Sequence, residues 1–208
     1  MKIIPIGLVM VFALSLCNLA EKLHGKKSGT GSGSTSSSSD GSSGTAEKGE
    51  LTPAQAAAIA NGQPAKWDRQ GMSFTVPANW KEQSNESKSF LWSAPGTEAS
   101  LNVNISPMDE SFPADVSIQA FYDQAKSRAK NGEVDEVKWV EIDGLKGVQF
   151  REANPEKPDD FRRLQWMAYR KFTGQLQLVN LMLASTGKNF IKHQDEMYGI
   201  LYSTKITH

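Results

Sequence analysis

The sequence predicts an α+β fold: a mainly antiparallel sheet of about six to seven strands flanked by helices, an α/β/α sandwich behind a signal segment and a disordered linker. Three observations predict it. The strand-like stretches come as hairpins rather than in strand–helix–strand alternation. Two stretches, 117–130 and 188–202, carry apolar stripes at helical spacing. The central strands have apolar residues in both alternating sets, so both faces of the sheet need cover.

The chain opens on Met1-Lys2 and an apolar run from Ile3 to Leu16, interrupted by Pro5 and Gly7. A short basic start and an apolar core of this length describe a secretory signal. Cys17 ends the run where a lipoprotein signal places its acylated cysteine. Leu14-Ser15-Leu16-Cys17 has a suitable Leu and Ser, while Leu16 stands where Gly, Ala or Ser is usual. Residues 1–17 therefore read as a signal peptide of lipoprotein type, with Cys17 as the lipid-attachment residue. Cleavage near Ala20 and a retained signal anchor both stay open, since Ile3 to Ala20 approaches the length of a membrane span.

Residues 18–50 read as a flexible tether. Ser28 to Thr45 is almost purely Gly, Ser and Thr, which buries nothing and behaves as a coil. At ~5–6 Å × √n such a segment reaches roughly 20–25 Å, enough to hold a domain off a membrane. Residues 51–65 follow as a short helix and linker: Thr52 is an N-cap, Pro53 occupies the first turn, and Gly62 closes the helix. An Ala-rich helix of that length is marginal alone, so it either packs on the domain or belongs to the tether.

Residues 66–208 form the single globular domain. Met72 to Val76 alternates cleanly and stops at Pro77, with Met72, Phe74 and Val76 inward. Ser87 to Ser93 is the next strand, with Phe90 and Trp92 on one face and Leu91 on the other, and Pro95-Gly96 turns it. Leu101 to Ile105 buries Leu101, Val103 and Ile105 and leaves Asn102 and Asn104 outward. Ser117 to Lys130 is a helix capped by Ser117 and ended by Asn131-Gly132, with Ile118, Phe121, Tyr122, Ala125 and Ala129 on its buried stripe.

Val134 to Arg151 is a hairpin turning at Asp143-Gly144. A two-residue turn sets Trp139 opposite Val148, Val137 opposite Phe150, Glu141 opposite Lys146 and Glu136 opposite Arg151. Apolar and opposite-charge pairs thus agree on one register. After a polar loop comes the long hairpin Phe161 to Ser185, for which Gly174-Gln175 is the favoured type II′ turn over Thr173-Gly174, because Thr dislikes positive φ. Either turn puts Leu164, Trp166, Ala168, Val179, Leu181 and Leu183 on one face. The five large ones stabilise by about 1.5–3 kcal/mol each before entropy is subtracted. The opposite face, around Arg163, Gln165, Met167, Tyr169 and Asn180, is left for recognition. A last helix, 188–202, places Phe190, Ile191, Met197, Tyr198 and Leu201 on its stripe.

Phe74-Thr75-Val76-Pro77-Ala78-Asn79-Trp80 is a strand ending in Pro and Trp. Antiparallel strands, a mid-domain helix, two further hairpins and a closing helix come after it. In this order of elements, over residues 66–206, the chain resembles the Mog1/PsbP-like group of domains and small bacterial lipoproteins of that fold. The resemblance implies the α/β/α sandwich. Members of the group serve as photosystem accessory subunits, a regulator of a nuclear-transport GTPase and envelope proteins, and no functional residue of theirs matches a position here.

Composition narrows the function further. With 23 basic and 23 acidic residues there is no net attraction to nucleic acid. One cysteine excludes an internal disulfide framework and a thiolate zinc cluster. Of three histidines only His193 falls on a predicted rigid element, with Asp195 and Glu196 near it, and it reads as an ordinary, partly exposed helical histidine. Asp109/Glu110 and Asp159/Asp160 are loop carboxylates, too few for a calcium site. Arg162, Arg163, Arg170 and Lys171, with Trp166 and Tyr169, suggest a basic patch that alternation divides between two faces. The residues point to no catalytic set, metal or cofactor. They point to an exported, membrane-anchored, non-catalytic binding or accessory domain of the bacterial cell envelope, on its periplasmic or outer face, held by a lipid anchor or signal anchor. It would engage a protein or small-ligand partner and no nucleic acid. The alternatives are an enzyme of unrecognised type and a purely structural envelope component.

Overall fold

Residues 44–207 are described by a computed structural model. The leader with Cys17 and the tether up to residue 43 lie outside the described residues.

The order of elements is β1 (Glu47–Lys48), α1 (Pro53–Ile59), β2 (Gln63–Trp67), β3 (Met72–Val76), β4 (Lys81–Asn85), β5 (Ser89–Ser93), β6 (Ala99–Met108), α2 (Ala114–Lys130), β7 (Val134–Ile142), β8 (Leu145–Glu152), β9 (Phe161–Phe172), β10 (Gln175–Thr186), α3 (Gly187–Tyr202) and β11 (Lys205–Ile206). Eight strands form one sheet in the order β1-β7-β8-β9-β10-β6-β5-β4, and β11-β3-β2 form a second, smaller one. Every pairing is antiparallel except the short parallel one between β1 and β7. The α+β sandwich is as expected, with a larger main sheet than expected and Met72–Val76 in the small sheet.

Four strands carry no sequence pattern that distinguishes them. β1 and β11 are two residues long. β4 reads Lys-Glu-Gln-Ser-Asn with no apolar alternation and a register shift between Glu82 and Ser84. β2 contains Pro64, a residue that argues against a strand anywhere but at an edge, and β2 is an edge of the small sheet.

The long hairpin pairs Leu183 with Leu164, Leu181 with Trp166 and Val179 with Ala168, and all six are fully buried. Its turn corrects the expected Gly174-Gln175: Phe172 pairs with Gln175, so Thr173 and Gly174 are the central residues, at φ +49° and +83°. Two positive φ values are those of a type I′ turn, whose twist matches that of the flanking strands and here outweighs the dislike of Thr for that region. The parity of the faces is unchanged, because the two registers differ by two residues. Asp143-Gly144 turns the same way, at +49° and +83°, with Trp139 opposite Val148 and Glu136 opposite Arg151 as expected.

One face of the large sheet carries α3 and the small sheet. Trp67 and Phe74 stack on Phe90 at centroid distances of 5.5 and 5.6 Å, and Phe190, Met197, Ile200 and Leu201 of α3 complete that core. Trp166 lies in it with its Nε1 donating to the Val140 carbonyl at 3.2 Å. Gly147 makes room for the indole: a Cβ there would meet Trp166 Nε1 at 2.6 Å. The stripe of α3 differs in one place, since Ile191 is 69% exposed while Phe190, His193 and Met197 point inward.

α1 has the expected Thr52 cap, and Gln55 reaches back to complete a capping box. It ends at Ala60 in right-handed geometry rather than at Gly62. Ile59 is buried, and Gly199 of α3 is where it approaches that helix. α2 begins at Ala114, a turn earlier than Ser117, so Ser117 is not its cap. The helix still ends at Asn131 and Gly132, the latter at φ +77°.

Candidate functional site

The second face of the large sheet is covered over only part of its width. α2 lies on β7, β8 and the adjoining part of β9. Tyr122 stacks on Trp139 at 5.0 Å, and Ala125 packs with Val148, Phe150 and Met167 in a second, smaller core. Ser117, freed from capping, meets Tyr169 with a hydroxyl–hydroxyl distance of 2.9 Å. Burial pushes the Tyr169 hydroxyl upward in pKa, while the Ser117 hydrogen bond opposes the rise. Phe112, before the helix, lies 5.6 Å from the Tyr169 ring and forms the rim.

Beyond that rim the strands β9, β10, β6 and β5 present half-buried side chains that alternate with the core set. Strand periodicity places Asn102, Asn104, Asn180, Gln165, Met182 and Leu91 on one surface, because Asn180 pairs with Asn104 and Met182 with Asn102. The amides bond to one another: Asn104 Nδ2 donates to Asn102 Oδ1 at 2.6 Å and Gln165 Nε2 donates to Asn180 Oδ1 at 2.7 Å. Gln165 Nε2 also reaches the Met167 sulfur at 3.4 Å. Each primary amide has two donors and two acceptor lone pairs, so these bonds leave capacity for a ligand. Chemically this surface offers neutral hydrogen bonding between apolar methionine and leucine patches. Nothing in it supplies a nucleophile or a base.

The other candidates from the sequence have structural jobs. Arg162 is 3% exposed, lies over the Phe190 ring at 4.2 Å, donates to the Glu152 carbonyl at 2.8 Å and pairs with Asp135. Arg163 pairs with Glu152 at 3.1 Å. Arg170 is 5% exposed and has only neutral partners, the Gln177 amide oxygen and the Gln70 carbonyl and side chain, while its Nη1 finds no partner among the described residues. Burial alone pushes its pKa down to about 10. Of the four basic residues only Lys171 is exposed, and it pairs loosely with Glu110. Asp159 pairs with Lys188.

His193 corrects its expectation. It is 6% exposed, and its ring nitrogens lie 2.7 Å from Glu196 and 3.1 Å from Glu98, a residue 95 positions away that no local pattern connects to it. Asp195 points outward. On the same side of the sheet, Tyr198 donates to Glu136 at 3.0 Å and accepts from Arg151 at 3.2 Å, and Tyr202 donates to Gln149 at 3.0 Å. Burial raises both tyrosine pKa values, which keeps them protonated donors. A cleft of about 400 Å³ opens between β3, β11 and the β7–β8 turn, lined by Lys66, Asp68, Ser73, Asp143, Lys205 and Thr207. Asp143 there holds the C-terminal strand, accepting from the Ile206 N–H at 2.7 Å and from Lys205 at 3.1 Å. Among the described residues no three His, Cys, Asp or Glu side chains converge on a metal position, and no helix is long and apolar enough to cross a membrane.

The architecture can be set beside solved structures. LpqN of Mycobacterium tuberculosis, described as involved in cell envelope biogenesis, matches over 71% of this chain and 86% of its own at 13% identity, with a TM-score of 0.50. The chain has a Mog1/PsbP-like fold. Cyanobacterial PsbP from Synechocystis matches over 70% of this chain and 92% of its own at 12% identity and a TM-score of 0.43. The Ran-binding protein Mog1p of Saccharomyces cerevisiae matches over 70% and 95% at 10% identity and 0.38. At such identities the likeness is one of fold alone. No protein-family model matches the chain, and no curated protein matches it in sequence.

Proposed function

We propose that this chain is an exported protein of the bacterial cell envelope, anchored by lipid on Cys17, whose folded part is a non-catalytic binding or accessory domain. In this reading residues 1–17 are the signal peptide and the Gly/Ser-rich run behind them is the tether, while β1, α1 and the start of β2, ahead of residue 66, belong with the folded domain. The apolar leader ending at Cys17 and the Gly/Ser run behind it support export and anchoring. The fold shared with LpqN, itself described by its role in envelope biogenesis, agrees with an accessory role there.

The observation that carries the binding role is the uncovered half of the second sheet face, where Asn102, Asn104, Asn180 and Gln165 hold one another in place. Groups fixed in advance lose little further freedom when they engage a protein or small ligand.

Two experiments test this. In a bacterial host, Cys17→Ala should abolish incorporation of labelled palmitate and move the protein out of the membrane fraction; unchanged labelling and fractionation overturn the anchor. Photo-crosslinking from position 104 in the full chain should trap an envelope component that a probe on exposed Lys130 of α2 does not. Equal trapping at both positions, or none at either, overturns the binding surface.

A further inference from the structure

Arg170 is a buried cation whose partners are all neutral. Burial lowers its pKa only to about 10, so the guanidinium stays charged at neutral pH. Nε donates to Gln177 Oε1 at 3.2 Å, and Nη2 donates twice to Gln70, to the carbonyl at 2.8 Å and to the side-chain oxygen at 3.1 Å. Nη1 carries two more N–H groups, and it has no partner among the described residues. The Phe172 ring covers the guanidinium at 4.5 Å. A buried charge is ordinarily matched by an opposite one, as Arg162 is by Asp135, because an unmatched ion is costly to remove from water.

This guanidinium is a neighbour of the cleft at the small sheet. Gln70, which takes two of its hydrogen bonds, directly precedes Gly71, and Gly71 lines the cleft with Thr207. A Cβ on Gly71 would meet Phe172 Cε2 at 2.8 Å and Thr207 Oγ1 at 2.9 Å. The same half-buried ring therefore touches both the guanidinium and the cleft wall. Phe172 is the last residue of β9 before the Thr173-Gly174 turn, and a rotation of its side chain breaks no strand pair.

Strand register sets the charge pattern of the cleft. Ser73 pairs with Lys66 on one side and with Lys205 on the other, which puts the three in a row on the outer face of the small sheet. Lys205 is held by Asp143 at 3.1 Å. The two lysines balance Asp68 and Asp143 along the lining, and Arg170 adds one positive charge behind it. The matching ligand is an anion of one unit charge. Because Nη2 is fully engaged, the guanidinium cannot present its two-nitrogen fork and would hold that anion through a single oxygen at Nη1. A carboxylate has the right charge, whereas a phosphate monoester carries about −1.5 to −2 at neutral pH.

We propose that Arg170 anchors a binding site for a small monocarboxylate, entered from the cleft as Phe172 rotates aside, with Nη1 donating to one carboxylate oxygen. Exposed Lys66 at the cleft draws the anion toward it. Arg170 alternates with the amide-bearing positions of β9 and faces the opposite side of the large sheet. The site therefore stands apart from the amide array and does not depend on that surface binding anything.

The test is an NMR titration of the full chain with sodium acetate, with matching titrations of sodium chloride and inorganic phosphate. Acetate should shift the Gly71, Phe172 and Thr207 amides and the Arg170 side-chain Nε signal together, saturating with a midpoint on the order of 1 mM for so small a ligand. Arg170→Met should weaken that binding about tenfold or more, the loss of one charge-assisted hydrogen bond. No saturable shift in the wild type, or the same midpoint in Arg170→Met, overturns the proposal. Equal shifts with chloride mean an adventitious ion only, and tighter binding of phosphate than of acetate overturns the carboxylate assignment. If the variant does not fold, the wild-type Arg170 signal decides: movement with the midpoint of the Gly71 amide supports the site, and a signal that acetate leaves in place overturns it.

Discussion

The two faces of the large sheet are built from the same strands and have been put to opposite uses. Toward α3 and the small sheet, most alternate residues are large, apolar and fully buried, and Trp166, Leu164, Leu181 and Leu183 meet across strand pairs, with Gln149, Arg162, Arg170 and Gln177 buried toward the ends of the strands or the sheet margin. Toward α2, the other alternate residues are chiefly apolar where the helix lies on them, and become Asn and Gln interspersed with Met182 and Leu91 where it does not. A strand can serve both ends because neighbours along it point to opposite sides. The larger core is therefore on one side, and on the other only the part that α2 leaves open is free to change at little cost in stability.

Substitutions can break or sharpen this contrast. The largest effect belongs to Trp166→Ala, which empties the middle of the dry face and should cost about 3–5 kcal/mol, read as a fall in the urea midpoint with an unchanged slope. Gly147→Ala puts a methyl group against the same indole, and should cost about 1–3 kcal/mol through overpacking; a neutral result would mean that Trp166 is not held as described. Tyr198 and Tyr202 probe the polar margin of that face. Their folded-state pKa values lie above the ordinary 10.0, so the unfolded chain loses those protons first. Stability should be insensitive to these groups below about pH 10 and fall as pH rises above it, and Tyr198→Phe should flatten part of the fall in thermal melts. The smallest effect is expected on the other face: Asn104→Ala should change stability by no more than about 0.5 kcal/mol. A cost several times larger would mean that the amide array is scaffold.

The sequence displays the contrast for a physical reason. A period of two is the strongest signal a strand has, and it survives ignorance of the turn: Leu164, Trp166, Val179, Leu181 and Leu183 share a face in either register, although the turn itself is Thr173-Gly174. The Asp143-Gly144 hairpin was readable to the residue, because apolar and charged pairs agreed on it. What was not readable depends on tertiary placement. β4 has no apolar alternation, being stabilised by its neighbour rather than by its own pattern. Ile191 lies next to the apolar stripe of α3 in the sequence, yet it is 69% exposed while Phe190 beside it is fully buried. His193 finds Glu98 only because the β5–β6 turn folds back beside α3, and no spacing within the helix announces a partner on another element.

The two edges of the large sheet have a consequence for copies of the chain held close together. An edge strand offers unpaired backbone groups to any similar strand it meets, and crowding on a surface raises the frequency of such meetings. Here one edge is β4, five polar residues with a register break at Glu82–Ser84, and the other is partly occupied by the chain's own β1, seated on Val140 and Glu141. Neither margin presents a long, flat, greasy strand. Molecules packed side by side in a dense layer would slide past one another instead of stitching into a continuous sheet.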